Sequence, residues 1–407
     1  MDLLLKNIAM LATPLGKSAR RGREQGDVKI IKDAMIGVKN GKIAYAGEAD
    51  ESLRATQAID CAGKLVTPGL VDAHTHLVFG GWRQHELGLK LKGVPYLDIL
   101  KQGGGILSTV RSTRAESEGA LFEKGREILN DMLRHGTTTC EAKSGYGLDL
   151  ESEMKQLRVI KRLNGLNTVN IAATFLGAHA VPEEYKHDRK KYIRLVTEEM
   201  MPAVKAEGLA EFSDVFCETA VFDVEESEHI IKAAQKNGFQ TKIHGDEIDP
   251  VGGAELAART KCISAEHLIQ ASDRGIADMA EAGVAAVLLP ATSFYLDKNY
   301  ARARKMIEEG VTVAVATDFN PGSSPNLNLQ IAMNLACIKY RMTPEEALTA
   351  VTLNAAAAIG RSDTAGSLET GKNADIVIWD APDLNYIFYR YGSNLVRNVI
   401  KDGRVVV

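Results

Sequence analysis

Apolar positions run along this chain in two rhythms. At both ends they come in short strand-like runs. The stretch "DAMIGVKNGKIAYAGE" (33–48) sets two such runs around Asn40-Gly41, a dipeptide that favours a tight hairpin turn. The far end repeats the texture in "GSLETGKNADIVIWD" and "VRNVIKDGRVVV", with a second hairpin turn at Asp402-Gly403. Residues 1–66 and 359–407 are therefore expected to build one small β-sandwich domain together.

Between them, residues 67–358 alternate apolar strands with amphipathic helical stretches. The candidate strands are "GLVDAHTHL", "TTTCEAKSG", "VNIAATFLGAHA", "FSDVFCET", "QTKIHGDE", "CISAEHLI", "VAAVLLPAT" and "TVAVATDFN". Segments such as "EGALFEKGREILNDMLRHG", "KYIRLVTEEMMPAVKAEG" and "ESEHIIKAAQKNG" carry a helical period. Gly136, Gly208, Gly238 and Gly310 stand where helix C-terminal caps would fall. Strands with helical crossovers predict a closed parallel (β/α)8 TIM barrel, with a doubly wound open sheet as the alternative.

Composition narrows the functional classes. The formal net charge is -4, which gives nucleic-acid binding no electrostatic support. No apolar run approaches a membrane span. The opening "MDLLLKNIAMLATPLG" is broken by Lys6 and Asn7 and reads as a strand, not a signal peptide. The five cysteines are scattered, with no C-x-x-C pair, as expected of reduced thiols in a cytoplasmic protein. The basic run "KSARRGRE" (17–24) reads as a solvated loop. "KQGGGILSTVRSTR" (101–114) lacks the P-loop ending and the dinucleotide spacing, so its glycines suit a loop approaching a small ligand rather than a phosphate cradle.

The polar residues then fall into a pattern. Catalytic groups of such barrels sit at the C-terminal strand ends. His74 and His76 end the first strand and share a face. His179 ends the third, His244 the fifth, His267 the sixth and Asp318 the eighth. Each alone reads as a hydrogen-bonded core group or a loop cap. Together at one end of one barrel they suit a metal centre. Imidazoles with one carboxylate match zinc or ferrous iron, with positions left for water. The expected ligands are His74, His76, His244 and Asp318, with His267 beside them as an oxyanion-stabilising group.

With this set in place, the chain resembles the amidohydrolase superfamily, over nearly its whole length. "TPGLVDAHTHL" enters the barrel and "GSLETGKNADIVIWD" leaves it, as in that superfamily. "GGGILSTVRSTR", "EAKSGYGLD", "TFLGAHAVP", "KIHGDEI" and "TDFNPGSSP" are similar to the imidazolonepropionase family. That resemblance implies opening of 4-imidazolone-5-propanoate by water to N-formimidoyl-L-glutamate, a step of histidine degradation. It implies one zinc or iron ion on His74, His76, His244 and Asp318, and a small-molecule substrate bound by Arg83, Tyr146 and His179. Glu247, Asn320, Gly322 and Ser323 lie in motifs that contact substrate or product. Some relatives carry Gln at the position of Glu247. Binuclear superfamily members use a carboxylated Lys on the fourth strand. "FSDVFCET" has none, and Lys143 stands on the second strand, so one ion is expected. A homodimer is the expected assembly. The nearest rival activity is a mononuclear purine or pyrimidine deaminase, which needs no cation for a carboxylate tail.

In the expected mechanism Asp318 takes a proton from metal-activated water and returns it to the leaving ring nitrogen. His267 steadies the oxyanion, and Glu247 orients the ring or assists proton transfer. Arg83 suits the propionate tail because its planar fork pairs with carboxylate oxygens.

Overall fold

The protein is described here from a computed structural model, which covers residues 1–94 and 103–407. The glycine-rich stretch is thus seen from Gly103 onward; Lys101 and Gln102 of that motif lie outside the described residues.

Four strands open the chain: β1 (Leu3–Pro14), β2 (Val28–Lys39), β3 (Lys42–Glu48) and β4 (Gln57–Pro68). Eight short strands follow: β5 (Leu70–Asp72), β6 (Thr137–Lys143), β7 (Asn170–Ala178), β8 (Phe212–Cys217), β9 (Gln240–Gly245), β10 (Ser264–His267), β11 (Ala285–Leu288) and β12 (Thr312–Val315). Three more end it: β13 (Ile376–Trp379), β14 (Val396–Lys401) and β15 (Arg404–Val405).

Strands β5 to β12 pair in chain order, all parallel. The ends of this sheet meet just beyond β5 and β12. Asp318 N donates to His74 O at 3.1 Å, and His76 N donates to Phe319 O at 2.8 Å. The buried Asp72 carboxylate locks the same seam, accepting from Thr317 N at 3.1 Å and Thr317 Oγ1 at 2.6 Å. The seam is therefore closed by the segments that carry His74, His76 and Asp318.

The helices on the outside follow the expected logic. Helix Glu118–Arg134 starts where Ser117 accepts from Ala120 N, and buries Leu121, Ile128, Leu129, Met132 and Leu133 on one face. It ends at Gly136, whose φ of 93° closes the turn. Helix Val224–Lys236 begins with a full capping box between Asp223 and Glu226. Small apolar residues fill the lower barrel, where Ala314 and Ala316 pack with Ala355 and Ala356 of helix Leu353–Ala358.

The two chain ends share one seven-stranded sheet, in the order β15-β14-β13-β4-β1-β2-β3. Both hairpin turns form at Asn40-Gly41 and Asp402-Gly403, all four residues having positive φ. The edge strand β3 also bonds to the segment before β13, through Ile43 N to Lys372 O at 2.9 Å. The sheet thus curls around its own core of residues such as Leu5, Ile8, Ile36, Val66 and Ile378.

The basic run 17–24 departs from the expected free loop. Its backbone lies against the barrel bottom, and the Arg21 guanidinium donates to the backbone carbonyls of Gly310 and Ala280. Gly22 N donates to Val311 O at 3.3 Å, and Arg20 N donates to Asn354 Oδ1 at 2.7 Å. Gln25 is fully buried and accepts from Val313 N, so the segment caps the unpaired strand end. Periodicity counts charges and does not see a backbone used as a lid. Among the described residues no helix is long and apolar enough to cross a membrane.

Candidate metal centre

The site is built on strand ends and on the turns just past them. His244 lies within β9 and His267 closes β10. His179 directly follows β7, while His74, His76 and Asp318 stand two to four residues beyond their strands. Asp318 and His267 have φ of 53° and 70°, a conformation that side-chain-bearing residues rarely adopt. Closing the barrel bends the chain so that both side chains turn into the mouth.

There they converge. His74 Nε2 lies 3.3 Å from His76 Nε2 and 3.3 Å from Asp318 Oδ1. Asp318 Oδ1 is 3.6 Å from His76 Nε2, and its other oxygen accepts from Thr292 Oγ1 at 2.7 Å. Ring centroids of His74 and His244 are 4.6 Å apart, and those of His244 and His267 5.3 Å. His74, His76 and Asp318 could share one ion, and so could His74, His244 and His267. His74 belongs to both groups, so the two triads overlap in one place.

His179 stacks on His76 at 4.9 Å and faces Gly145 O with Nδ1 at 3.0 Å. The Tyr146 ring lies 5.6 Å from His76 and 5.3 Å from His179. Glu247 Oε1 stands 3.6 Å from His267 Nδ1. Its loop is held by buried Glu218, which accepts from the backbone N–H groups of Glu247, Ile248 and Asp249. The Asn320 side chain is engaged within its own turn, accepting from Gly322 N and Ser323 N at 2.8 Å each and donating to Asp318 O at 2.7 Å. Asn320, Gly322 and Ser323 thus form one tight turn beside Asp318. Arg83 is farther out, paired with Glu86 and packed against Gly322.

Beneath the imidazoles lies a layer that the motif reading missed. Lys143 is fully buried, with Glu141 and Asp214 each at 2.8 Å and Glu266 at 2.9 Å. Lys242 bridges Glu141 and Glu266 at 2.9 Å each. Two carboxylates of this layer reach upward. Glu266 contacts His74 Nδ1, and Asp214 Oδ2 is 3.0 Å from His244 Nδ1. Three carboxylates face two ammonium groups, leaving one formal negative charge beneath the histidines. The available signal was the presence of Glu and Lys inside otherwise apolar strands, in "CEAK", "TKIH" and "SAEH".

This layer sets the electrostatics. Burial opposes a charge on His74, but Glu266 and Asp318 outweigh it and raise the group to about 9. Burial holds His179 and His267 down to about 3, and with neighbouring imidazoles it pulls His76 well below its ordinary value. Burial also works against the Asp318 anion, yet hydrogen bonding and charge from His74 bring it down to about 2. Glu247 is pushed up to about 8 by burial, Asp318 and Glu218. The site therefore presents neutral imidazoles at His76, His179 and His267, one fixed carboxylate, and surroundings that favour positive charge at His74.

The fit to a divalent ion can be tested on one atom. His244 Nε2 is buried and has no hydrogen-bond partner among the described residues. A buried acceptor without a partner costs about 1–3 kcal/mol. Here it faces the imidazole cluster, where an ion would satisfy it. Nitrogen and carboxylate donors of this kind suit zinc or iron. Lys143, on β6, is enclosed by the carboxylates of Glu141, Asp214 and Glu266, so it is committed to the ionic layer.

Comparison with known proteins agrees with this geometry. The sequence profile of the amidohydrolase family matches residues 65–406. An imidazolonepropionase from Bacillus velezensis is 52% identical over 410 residues, covering 100% of this chain and 97% of the relative. One from Alkaliphilus metalliredigens is 51% identical over 414 residues, covering 100% and 98%. Among solved structures, a mutant atrazine chlorohydrolase from Arthrobacter aurescens complexed with zinc and atraton has a TM-score of 0.75 at 17% identity, covering 100% of this chain and 95% of that one. An adenosine deaminase from Xanthomonas campestris with bound zinc has a TM-score of 0.72 at 20% identity, covering 99% and 92%. At such identities these two share the fold alone. A (β/α)8 barrel, a sheet made by both chain ends, and full-length relatives at half identity lead to one conclusion: the chain belongs to the imidazolonepropionase family of the amidohydrolase superfamily.

Proposed function

We propose that this protein hydrolyses the cyclic amide of 4-imidazolone-5-propanoate to N-formimidoyl-L-glutamate, in histidine degradation. The observation that carries the reading is a pair of groups that share His74, one with His76 and Asp318 and one with His244 and His267, at the mouth of a barrel with full-length imidazolonepropionase relatives. His74, His76, His244 and Asp318 would hold one zinc or iron ion, and such an ion makes water acidic enough to supply hydroxide near neutral pH.

The chain's own residues do the rest. Asp318, fixed by Thr292, accepts the proton of the attacking water and delivers it to the ring nitrogen that leaves. His267, in the electrostatic reach of Asp318, would support the developing oxyanion. Glu247, protonated at neutral pH, donates a hydrogen bond to the ring. His179 and Tyr146 hold the ring against His76, and Arg83 takes the propionate tail. Asn320, Gly322 and Ser323 shape the wall that the substrate meets. The protein would work in the cytoplasm as a homodimer.

The test is loss of imidazolone absorbance with purified protein, with and without a chelator. No turnover by metal-replete protein, or turnover that survives complete metal removal, ends this reading. Release of ammonia from purines or pyrimidines instead would move the protein to the deaminases.

A further inference from the structure

Two cations near the mouth share one carboxylate and one loop residue. Glu86 is buried, 1% exposed, and takes Nε of Arg83 at 3.0 Å and Nη2 at 2.9 Å. The same carboxylate accepts from Gly105 N at 2.7 Å, which fastens the glycine-rich stretch to it. Lys90 Nζ stands 3.7 Å from Glu86 and donates to Gly322 O at 2.9 Å. Arg83 approaches Gly322 so closely that a Cβ there would lie 2.1 Å from Nη1.

Both cations therefore converge on the turn that begins at Asn320 beside Asp318. The charge count is informative. Arg83 and Lys90 carry two positive charges, and Glu86 carries one negative charge. One positive charge remains uncompensated among the described residues. Glu86 takes Nε–H and one Nη2–H, so Arg83 keeps the edge formed by Nη1 and the second Nη2 hydrogen for a ligand. Lys90 donates to the neutral carbonyl of Gly322, lies 3.7 Å from Glu86 and 5.6 Å from the centre of the Tyr295 ring, and an ammonium has three donors. A carboxylate has about four lone-pair sites, so the free edge of Arg83 and the Lys90 ammonium can donate to the same tail.

We propose that Lys90 is a second cation of the substrate-carboxylate site beside Arg83, with Glu86 compensating one of the two charges. This rests on the reading that Arg83 meets the propionate. It adds a specificity residue that the motifs did not indicate, on the short helix Leu87–Leu91.

The experiment compares wild type, Lys90→Met and Lys90→Arg on 4-imidazolone-5-propanoate and on its propanamide analogue, whose tail is neutral. A charge-assisted hydrogen bond is worth enough for roughly a tenfold change in affinity. Lys90→Met is expected to raise KM for the acidic substrate about tenfold, with kcat nearly unchanged and KM for the amide unchanged. Lys90→Arg should restore most of the loss. An unchanged KM for the acid, or an equal rise for acid and amide, overturns the proposal. Metal content and melting temperature of each variant show that the centre and fold are intact. If Lys90→Met misfolds, Lys90→Gln takes its place, being polar but uncharged. Wild-type protein that fails to turn over the acid overturns the proposed function instead, so the two failures are distinct.

Discussion

At the scale of single residues, the side chains of the mouth differ chiefly in what surrounds them. Asp318 is kept anionic by His74, whereas Glu247 is kept protonated by burial and by the anions of Asp318 and Glu218. In the proposed mechanism this difference in environment would divide the roles of base and hydrogen-bond donor between the two carboxyl groups. Asp318→Asn keeps the shape and removes the base. Its kcat is expected to fall by roughly 10²–10⁴, as for loss of general-base catalysis. Wild-type turnover in that variant would refute the assignment. The pH profile tests Glu247. Below about 8 the group carries its proton and donates; above it, an anion forms next to Asp318 and the donor is lost. Wild-type kcat/KM should therefore decline on the alkaline side near that value. Glu247→Gln cannot ionise, so it should keep most activity at neutral pH and lose that decline. An identical alkaline limb in both proteins would exclude Glu247 as its source. The histidines and Asp318 were legible because their types stand out at strand ends. The division of protons was not legible, since it depends on neighbours such as Glu218 and Glu266 that are distant along the chain.

At the scale of elements, β9 and β10 each do two jobs: the upper end presents a candidate site residue, His244 or His267, and the residue before it on the inner face or next to it, Lys242 or Glu266, contributes to the ionic layer. Lys143 and Glu141 on β6, Lys242 and His244 on β9, and Glu266 on β10 use two-residue spacing to face the same interior. Such a layer is costly to dehydrate but far costlier to break. Lys143→Met leaves Glu141, Asp214 and Glu266 facing one another without the central ammonium. Removing one partner of a buried pair costs roughly 3–5 kcal/mol. Denaturant unfolding of metal-free Lys143→Met should show a loss of that size. A loss below about 1 kcal/mol, the value of an exposed pair, would mean the layer is not a structural unit. The eight strands were legible from their apolar runs, and Asn40-Gly41 gave the hairpin register. The ionic layer was hidden because a charged residue inside a strand reads as an exposed face. It is interior here only because the sheet closes on itself.

At the scale of the whole molecule, the proposed ion would tie together β5, β9 and the turn after β12, segments far apart in sequence that meet at the seam and across the mouth. The seam rests on few bonds beyond the strands: Asp318 N to His74 O, His76 N to Phe319 O, and the Asp72–Thr317 lock. An ion bound by the folded state and not by the unfolded chain adds its binding free energy to stability. At a thousandfold excess over its dissociation constant this is about 4.1 kcal/mol. Chelation should therefore lower the melting temperature reversibly, and added zinc or ferrous ion should restore it. His244→Ala should reduce that response, because it removes a ligand without touching the seam's own hydrogen bonds. Asp72→Ala should act the other way, lowering stability in metal-free and metal-loaded protein alike through loss of the Thr317 contacts. If chelation leaves the wild-type melting curve and turnover where they were, the four side chains hold no ion that matters. The closeness of His74, His76 and Asp318 would then be a consequence of barrel closure alone.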